Sequence, residues 1–174
     1  KKKIFFSGLV NNAGERQRIE FNKLDKKKLF HIFNTNLFSV INITQKFLTH
    51  NKNKNNKLSI VNIGSIVGHR GFSDLSGYAS TKSALEGLTK SLSIEYANKK
   101  IRFNIVNPGF TITSYYKGFK TRKKNLYNWT LSKIPLKRWA TTSEVSEITC
   151  FLLSDKSSYI TGQSINVDGG WTAQ

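Results

Sequence analysis

The chain has 174 residues, enough for one domain with a substantial hydrophobic core, and it contains one cysteine and no methionine. Its 28 Lys and Arg residues against 10 Asp and Glu residues give a formal net charge of +18. The single cysteine excludes a disulfide scaffold, and no apolar stretch is long enough to span a bilayer. We therefore expect a soluble, cytoplasmic protein without a membrane partner, and the missing methionine indicates a fragment of a longer gene product.

The positive charge raises the alternative of a nucleic-acid-binding protein, because basic chains neutralise phosphate backbones. However, the lysines are spread along the chain and are accompanied by asparagines, most densely at residues 51–57 (NKNKNNK). We interpret this tract as a solvated loop and the charge as a compositional bias. We therefore expect no nucleic-acid partner.

In chain order, the first half alternates predicted strands with a helix. Residues 4–10 form a near-continuous apolar run that ends in Asn-Asn-Ala-Gly, a pattern typical of a buried parallel strand entering a tight turn. From about residue 22 to residue 50 the apolar residues recur at helical spacings. These residues are Phe30, Phe33, Leu37, Ile41 and Leu48. A second buried strand is predicted at residues 58–63, and a glycine-containing loop follows at 64–75.

The second half continues the alternation. A helix is predicted from about residue 76 to residue 98, and a third strand at 101–106. Residues 110–135 are aromatic and basic without a clear period. A short helix at about 143–153 precedes a fourth strand at 164–167.

Two side-chain expectations accompany these helices. The helix from residue 76 should bury one apolar stripe, formed by Ala84, Leu85, Leu88 and Leu92. Cys150 lies in the apolar pattern of the last helix, so we expect it to pack in the core.

Strands that alternate with helices of ten or more residues predict right-handed crossovers, and therefore a single α/β domain with helices on both faces of a parallel sheet. In such sheets ligands bind beyond the carboxyl ends of the strands. Polar or glycine-rich loops follow three of the predicted strands, at residues 11–14, 64–65 and 107–109. We expect these loops to form one site. Gly14 and Gly109 would let a flat ligand approach the backbone, although ordinary turn glycines are the alternative.

Tyr78 and Lys82 lie four residues apart near the start of the second predicted helix, so their side chains project from one face. A tyrosine with a pKa of about 10 is a poor acid–base catalyst at neutral pH, and an adjacent ammonium favours the phenolate. The pair therefore has the composition of a proton-transfer site. Taken alone, the spacing is also that of a solvated helix face with a snorkelling lysine.

Together, these motifs resemble the short-chain dehydrogenase/reductase family, and the resemblance covers essentially the whole chain. The matching motifs occur in family order and spacing: Asn11-Asn-Ala-Gly14, Asn36 within Thr-Asn-Leu, Ile63-Gly-Ser65, Tyr78-x-x-x-Lys82, PGFTIT at 108–113 and ITGQSINVDGG at 160–170. Within the family, residues 63–68 and 159–163 look most like the beta-ketoacyl-acyl carrier protein reductases and related bacterial sugar-alcohol dehydrogenases.

The resemblance implies a Rossmann-like, doubly wound parallel sheet and hydride transfer between NAD or NADP and a carbonyl or alcohol carbon. It implies that Tyr78 is the general acid in reduction and the base in oxidation. Lys82 would lower the pKa of Tyr78 and bind the nicotinamide ribose, and Ser65 would hold the substrate oxygen. Asn36 would anchor a water that relays protons from Lys82. The alternative for Asn36 is a helical asparagine exposed to water.

The resemblance also implies which residues contact the cofactor. Asn12 should lie along its adenosine end, while Thr113 and the backbone near Thr111 should hold the carboxamide. The implied cofactor-binding residues are Asn12, Ala13, Gly14, Tyr78, Lys82, Pro108, Gly109, Thr111 and Thr113. No metal site is expected.

One departure from the family is large. Members begin with a strand, a Thr-Gly-x-x-x-Gly-x-Gly turn and a helix whose N-terminus receives the pyrophosphate, and Gly8 and Gly14 do not form that arrangement. We therefore expect residues 1–174 to be one partial domain that lacks the first three strands. The choice between NAD and NADP stays open because the family reads it in that part.

The same departure would leave residues 4–10 as an exposed apolar sheet edge. We therefore expect this polypeptide alone to be poorly soluble or oligomeric and to bind dinucleotide weakly. A catalytically silent remnant that acts only by association is the alternative to an enzyme. By resemblance to the family, the complete protein should form a homodimer or homotetramer.

The substrate stays open between a carrier-bound 3-oxoacyl thioester, a sugar and a similar carbonyl or alcohol compound. Residues 110–135 fall where the family has its mobile substrate lid. The basic run at 117–124 could steer an acidic carrier protein or a phosphorylated or nucleotide-linked substrate towards the site. The alternative is a solvated lid in an already basic chain.

Overall fold

The fold is a parallel sheet with helical connections. The computed structural model describes residues 5–51, 57–114 and 116–174. In this part of the chain, four strands form one sheet in sequential order: β1 Gly8–Asn11, β2 Leu58–Ile63, β3 Ile101–Pro108 and β4 Ser164–Val167. All three neighbouring pairs are parallel. The predicted α/β class with a parallel sheet is therefore confirmed.

Within the described ranges, six α-helices accompany the sheet. They are α1 Lys26–Phe33, α2 Ser39–Asn51, α3 Ser76–Glu95, α4 Tyr116–Arg122, α5 Lys124–Lys133 and α6 Thr142–Leu153. None of these helices, within the ranges described above, is long and apolar enough to cross a bilayer. Residues 52–56 of the predicted basic loop, like Ile4 of the first predicted strand, lie outside the described residues.

The strand predictions hold at β2 and β4, whose bounds match the sequence pattern. β1 begins at Gly8 and continues to Asn11, because Gly8 to Asn11 pair with Ser59 to Asn62 of β2. β3 is longer than predicted and ends at Pro108. Its last two residues, Asn107 and Pro108, pair with Asn166 and Val167 of β4, a partner that the local apolar pattern could not reveal.

The prediction of one continuous helix from about residue 22 to residue 50 was wrong about where the helix begins and about its continuity. It begins at Lys26, where the side chain of Asp25 accepts a hydrogen bond from the Lys28 amide at 2.8 Å. A π-helical turn at Asn34–Phe38 then separates α1 from α2. The wider turn changes the buried face. Phe30 is consequently 53% exposed, whereas Ile32, Asn36, Val40 and Thr44 are buried.

The helix α3 ends at Glu95 rather than at residue 98, because a 3₁₀ turn at Ala97–Lys99 follows and leads to Lys100, whose φ is +58°. The predicted stripe was only partly right: Leu85 is fully buried, but Ala84, Leu88 and Leu92 are half-buried. The remaining buried positions are Gly77, Thr81, Lys82, Thr89 and Ser93. The face that packs on the sheet is therefore mostly small and polar.

Buried asparagines explain this polarity. Asn11 and Asn62 are register partners in β1 and β2, and the Asn11 amide donates to the Asn62 Oδ1 at 2.8 Å. Asn62 in turn donates to the Thr89 Oγ1 at 2.9 Å, and Asn11 also donates to the Thr44 Oγ1 at 3.1 Å. This hydrogen-bonded chain fixes α2 and α3 against the strands, since each buried amide satisfies its partners.

The region at 110–135, which showed no clear period, contains the two short helices α4 and α5. They surround an aromatic cluster in which the ring centroid of Trp139 lies 5.1 Å from that of Phe119 and 5.2 Å from that of Tyr116. Because the cluster draws its members from both helices and from the segment after them, neither helix shows a simple apolar stripe.

The helix α6 begins with a capping box between Thr141 and Glu144. Cys150 on this helix is exposed, so the expectation that it packs in the core was wrong. Leu152 is the helix residue that is fully buried, packed against Val61 and Val106. The apolar pattern identified the helix but left open which of its neighbouring positions faces the sheet.

Candidate active site

A cleft of about 880 Å³ opens where β1, β2 and β3 end. The three loops that follow these strands all line it, as the sequence predicted. Nine of the predicted site residues form part of its wall: Asn12, Gly14, Ser65, Tyr78, Lys82, Pro108, Gly109, Thr111 and Thr113. Ala13 and Asn36 do not line the cleft.

Lys82 projects into the cleft from the first turns of α3. Its side chain is 7% exposed, and its Nζ donates a hydrogen bond to the Ile63 carbonyl oxygen at 2.7 Å. The same Nζ lies 5.7 Å from the centroid of the Tyr78 ring. Burial lowers the pKa of Lys82 to about 8, because the ammonium is poorly solvated there.

Three influences, which do not all act in the same direction, shift the pKa of Tyr78. Burial raises its pKa, whereas a hydrogen bond with Ser65 and the positive charge of Arg16 act to lower it. Burial is the largest effect, so the pKa of Tyr78 is raised in the protein alone. Lys82 is not among the groups that shift the pKa of Tyr78 here, so its lowering effect on that pKa stays a prediction. A protonated phenol is the form that can donate a proton to a carbonyl oxygen.

Ser65 is held at the end of β2, where its hydroxyl accepts a long hydrogen bond, 3.4 Å, from the Val67 amide. The preceding residue must be glycine: a Cβ at position 64 would lie 2.0 Å from the Oδ1 of Asn107. Asn107 is itself buried and donates to the Ser164 Oγ at 2.7 Å. The close approach of the β2 and β3 ends thus fixes where Ser65 points.

Asn36 lies behind the cleft in the π-helical turn and is fully buried. Its Oδ1 accepts from the Glu15 amide at 2.8 Å, and its Nδ2 donates to the Glu15 carbonyl oxygen at 2.8 Å and to the Thr81 Oγ1 at 3.2 Å. The alternative of an exposed helical asparagine was therefore wrong. Asn36 attaches the loop after β1 to α3, and a Cβ at position 14 would lie 3.4 Å from its Oδ1 and 3.7 Å from the Lys82 Nζ.

A smaller cavity of about 160 Å³ adjoins the cleft. Ser65 and Tyr78 line both spaces. The remaining wall of the smaller cavity is mainly apolar and aromatic, and includes Phe72, Phe110, Leu126 and Trp129. Ser65 and Tyr78 thus lie where the two spaces meet.

Two groups of lining residues were missed from the sequence. Arg16 and Arg18 follow directly after the Asn-Asn-Ala-Gly turn and line the smaller cavity. One face of α6 lines the cleft with Thr142, Val145, Ser146, Thr149, Cys150 and Leu153. Their spacing of three and four residues was a readable helical signal, but its partner on the sheet could not be identified. No cluster of three or more metal-ligating side chains occurs in the described ranges.

Replacing Lys82 by methionine is expected to stabilise the fold. Holding the ammonium at a pKa of about 8, against about 10.4 in the unfolded chain, costs about 3 kcal/mol, and the loss of the bond to Ile63 offsets about 1 kcal/mol. We therefore expect Lys82→Met to raise the free energy of unfolding by about 1–2 kcal/mol at pH 7. Urea unfolding of the parent and the variant between pH 7 and 11 measures this difference in the free energy of unfolding.

The sign of the pH dependence is fixed by the lowered pKa. Below pH 8, Lys82 is charged in both the folded and the unfolded parent protein. Between pH 8 and about 10.4, Lys82 binds more protons in the unfolded chain than in the folded protein. The free energy of unfolding of the parent therefore rises with pH over this range. The advantage of Lys82→Met should shrink over that range. Lys90→Met, at an exposed position of the same helix, is the control and should change little. A destabilised Lys82→Met protein at pH 7 would contradict the expectation.

Comparisons with known proteins agree with this geometry. Residues 5–172 match a family model described as enoyl-(acyl carrier protein) reductase. The chain is 38% identical over 170 residues to the 3-oxoacyl-acyl-carrier-protein reductase FabG of Buchnera aphidicola subsp. Schizaphis graminum, which covers 98% of this chain and 68% of the relative.

Two solved structures are similar over nearly the whole chain. A gluconate 5-dehydrogenase from Burkholderia cenocepacia, in complex with NADP and tartrate, has a TM-score of 0.90 at 28% identity and covers 97% of this chain and 65% of its own. A 4-hydroxyisoleucine dehydrogenase complexed with NADH has a TM-score of 0.92 at 28% identity. The match covers 97% of this chain and 69% of the dehydrogenase chain. The chain thus spans about two thirds of the length of these relatives.

Proposed function

The chain belongs to the short-chain dehydrogenase/reductase family, and from this we propose that the protein is an NAD(P)-dependent oxidoreductase that interconverts a carbonyl compound and a secondary alcohol. The observation that carries the proposal is the convergence of Ser65, Tyr78 and Lys82 on one cleft at the carboxyl ends of the strands. Relatives named as a reductase and as dehydrogenases, one with NADP and one with NADH, support it.

The residues of the cleft fit a nicotinamide cofactor. Its volume of about 880 Å³ is within the range of ligand sites. Positions 14 and 109 of its wall are glycines, and a Cβ at position 109 would lie 2.9 Å from the Cα of Asp168, so close packing requires glycine there. The lining residues that would hold the cofactor are Asn12, Gly14, Tyr78, Lys82, Pro108, Gly109, Thr111 and Thr113. Ala13, in the same turn but not part of the cleft wall, stays a prediction.

The chemistry divides between the cofactor and the chain. When bound, NAD(P)H supplies the hydride that adds to the carbonyl carbon. Ser65 donates a hydrogen bond to the carbonyl oxygen and so stabilises the charge that develops on it. Tyr78, whose pKa is ordinarily about 10 and is raised further by burial, is protonated at neutral pH and gives its proton to the same oxygen. One carbonyl compound, one NAD(P)H and one proton thus give one alcohol and one NAD(P)⁺.

Lys82 and Asn36 complete the proposed site. The positive charge of Lys82, whose pKa is about 8, would favour the phenolate that remains after proton transfer. Its ammonium would donate hydrogen bonds to the ribose hydroxyl oxygens of the cofactor. Asn36 positions the loop at Glu15 through its hydrogen bonds. We also propose that Asn36 anchors a water molecule that relays protons from Lys82.

The substrate is proposed to be a small carbonyl or alcohol compound, free or carrier-bound, of the kind that the names of the relatives indicate. The helices α4 and α5 are proposed as the substrate lid, because Phe119 of α4 lines both cavities and Leu126 and Trp129 of α5 line the smaller one. A homodimer or homotetramer is proposed on the family resemblance.

Turnover by a Ser65→Ala variant tests the proposed function. We expect the full-length protein to oxidise NADH or NADPH with at least one member of a panel of 3-oxoacyl thioesters, oxo acids and keto sugars. Ser65→Ala should lower kcat/KM by about 10²-fold, as expected when one oxyanion donor is lost. The control is Ser80→Ala, because Ser80 is an exposed serine of α3 and should leave turnover unchanged. An inactive parent, or a Ser65→Ala variant within threefold of it, would contradict the proposal.

A further inference from the structure

The loop after β3 lines the cleft, but a distant segment of the chain holds it in place. Thr111 of this loop forms an isolated parallel bridge with Ala140. The Ile112 amide donates to the Ala140 carbonyl oxygen at 2.8 Å, and the Ala140 amide donates to the Phe110 carbonyl oxygen at 2.9 Å. Ala140 therefore sets the path of the loop that brings Thr111 and Thr113 to the wall of the cleft.

A pair of charged side chains, Arg138 and Glu144, closes the backbone around Ala140. The guanidinium of Arg138 donates two hydrogen bonds to the Glu144 carboxylate, from Nη1 to Oε2 at 2.9 Å and from Nη2 to Oε1 at 2.6 Å. The same Oε2 accepts a hydrogen bond from the Thr141 amide at 2.7 Å. Ala140 thus lies between two residues that bind one carboxylate, which fixes the direction of its own amide and carbonyl groups.

The neighbouring Trp139 anchors the same segment at one point. Its ring is buried in the aromatic cluster, and its Nε1 donates to the Thr130 Oγ1 at 2.8 Å. A single anchor leaves the peptide groups that follow free to rotate about it. The link between Arg138 and Glu144 supplies the second anchor, because it joins the backbone before Trp139 to the first turn of α6.

The pair lies at the surface and outside the site itself. The side chains of Arg138 and Glu144 are 54% and 38% exposed, and neither forms part of the described wall of the cleft or of the smaller cavity. Hydrogen bonds from Arg138 and from the Thr141 amide lower the pKa of Glu144 to about 2, so its carboxylate is charged at neutral pH. Because exposed ion pairs add little to global stability, we expect the effect of this pair to be local.

We propose that Arg138 and Glu144 are a positioning pair for the cofactor, which holds the loop at 110–113, through Ala140, in the conformation that binds the nicotinamide carboxamide. The inference rests on the proposed function, in which Thr111 and Thr113 hold that carboxamide. Neither member of the pair touches the cofactor. Its loss should therefore weaken binding of the nicotinamide portion and leave binding of the adenosine portion unchanged.

Binding of the cofactor and of a fragment without nicotinamide tests the inference. We would measure, by calorimetry on the full-length protein, the Kd for NADH or NADPH, whichever binds more tightly, and for ADP-ribose or its 2′-phosphate. Arg138→Gln and Glu144→Gln should each raise the Kd for the dinucleotide about tenfold and leave the Kd for the fragment within about threefold. The double variant should bind no more weakly than the single variants, because the two residues act as one unit. Arg138→Lys should recover part of the affinity, since an ammonium cannot form the two parallel bonds.

Lys28→Gln is the matched control, because it removes another exposed ion pair at the start of a helix. The Lys28 Nζ lies 2.9 Å from the Asp25 Oδ2, and neither residue is part of the described wall of either cavity, so both Kd values should stay unchanged. An Arg138→Gln protein that binds the dinucleotide as tightly as its parent, or that loses affinity for dinucleotide and fragment equally, would overturn the inference while leaving the proposed function intact. A parent protein that binds neither NADH nor NADPH would instead overturn the proposed function.

Discussion

Replacing Tyr78 by phenylalanine is expected to lower carbonyl reduction by about 10³-fold while leaving NAD(P)H binding nearly unchanged. The variant removes the proton that the site is proposed to deliver to the carbonyl oxygen, since the Tyr78 phenol, with its raised pKa, is protonated at neutral pH. The ring itself is retained, so its packing beside the Lys82 ammonium, 5.7 Å away, is preserved. Single-turnover rates with the preferred substrate, together with a fluorescence titration of NAD(P)H, separate the two effects.

A control variant makes this experiment specific. Tyr159→Phe removes a hydroxyl from a fully exposed tyrosine outside both cavities and should leave the rate unchanged. If Tyr78→Phe retains activity within tenfold of the parent, Tyr78 is not the proton donor.

Substituting alanine for Gly64 is expected to lower the free energy of unfolding by about 3 kcal/mol or more. The new Cβ would lie 2.0 Å from the Asn107 Oδ1 and 2.8 Å from the Ile105 Cδ1. Neither neighbour can move freely, because Ile105 is a buried core residue and Asn107 is hydrogen-bonded to Ser164 in β4. Relief therefore requires displacement of the β2 end, and with it Ser65.

Gly87→Ala is the matched control. Gly87 lies on the exposed face of α3, and a Cβ there meets no atom within 4 Å. Alanine is favoured over glycine in a helix, so this variant should gain about 0.5–1 kcal/mol. Chemical denaturation of both variants gives the comparison, and a Gly64→Ala protein as stable as its parent would show that the strand ends can separate without cost.

Local patterns were sufficient where one element determines its own structure. The strands β2 and β4 were bounded correctly because their apolar runs end at polar or glycine-containing loops. Tyr78 and Lys82 were placed together because helical spacing alone brings them to one face. The convergence of the three loops followed from the general rule that parallel strands end at the same edge.

Features that depend on a distant partner could not be predicted. The π-helical turn at Asn34–Phe38 contains Asn36, whose side chain forms hydrogen bonds with Glu15 and Thr81. Both partners lie far from Asn36 in the sequence. The helices α4 and α5 are organised around Trp139, which follows them. Arg16 and Arg18 belong to no motif of the sequence, and only the tertiary structure shows that they line a cavity.

Deuterium transfer tests the central claim most directly, namely that this cleft carries out hydride transfer between NAD(P)H and a carbonyl carbon. The full-length protein would be supplied with NADPH or NADH deuterated at C4 of the nicotinamide and with its best carbonyl substrate. Mass spectrometry of the alcohol should find one deuterium on the carbinol carbon per NAD(P)H consumed when the transferred position carries the label. An alcohol without deuterium from both C4 epimers of the labelled cofactor, or cofactor binding without any alcohol formed, would contradict the account.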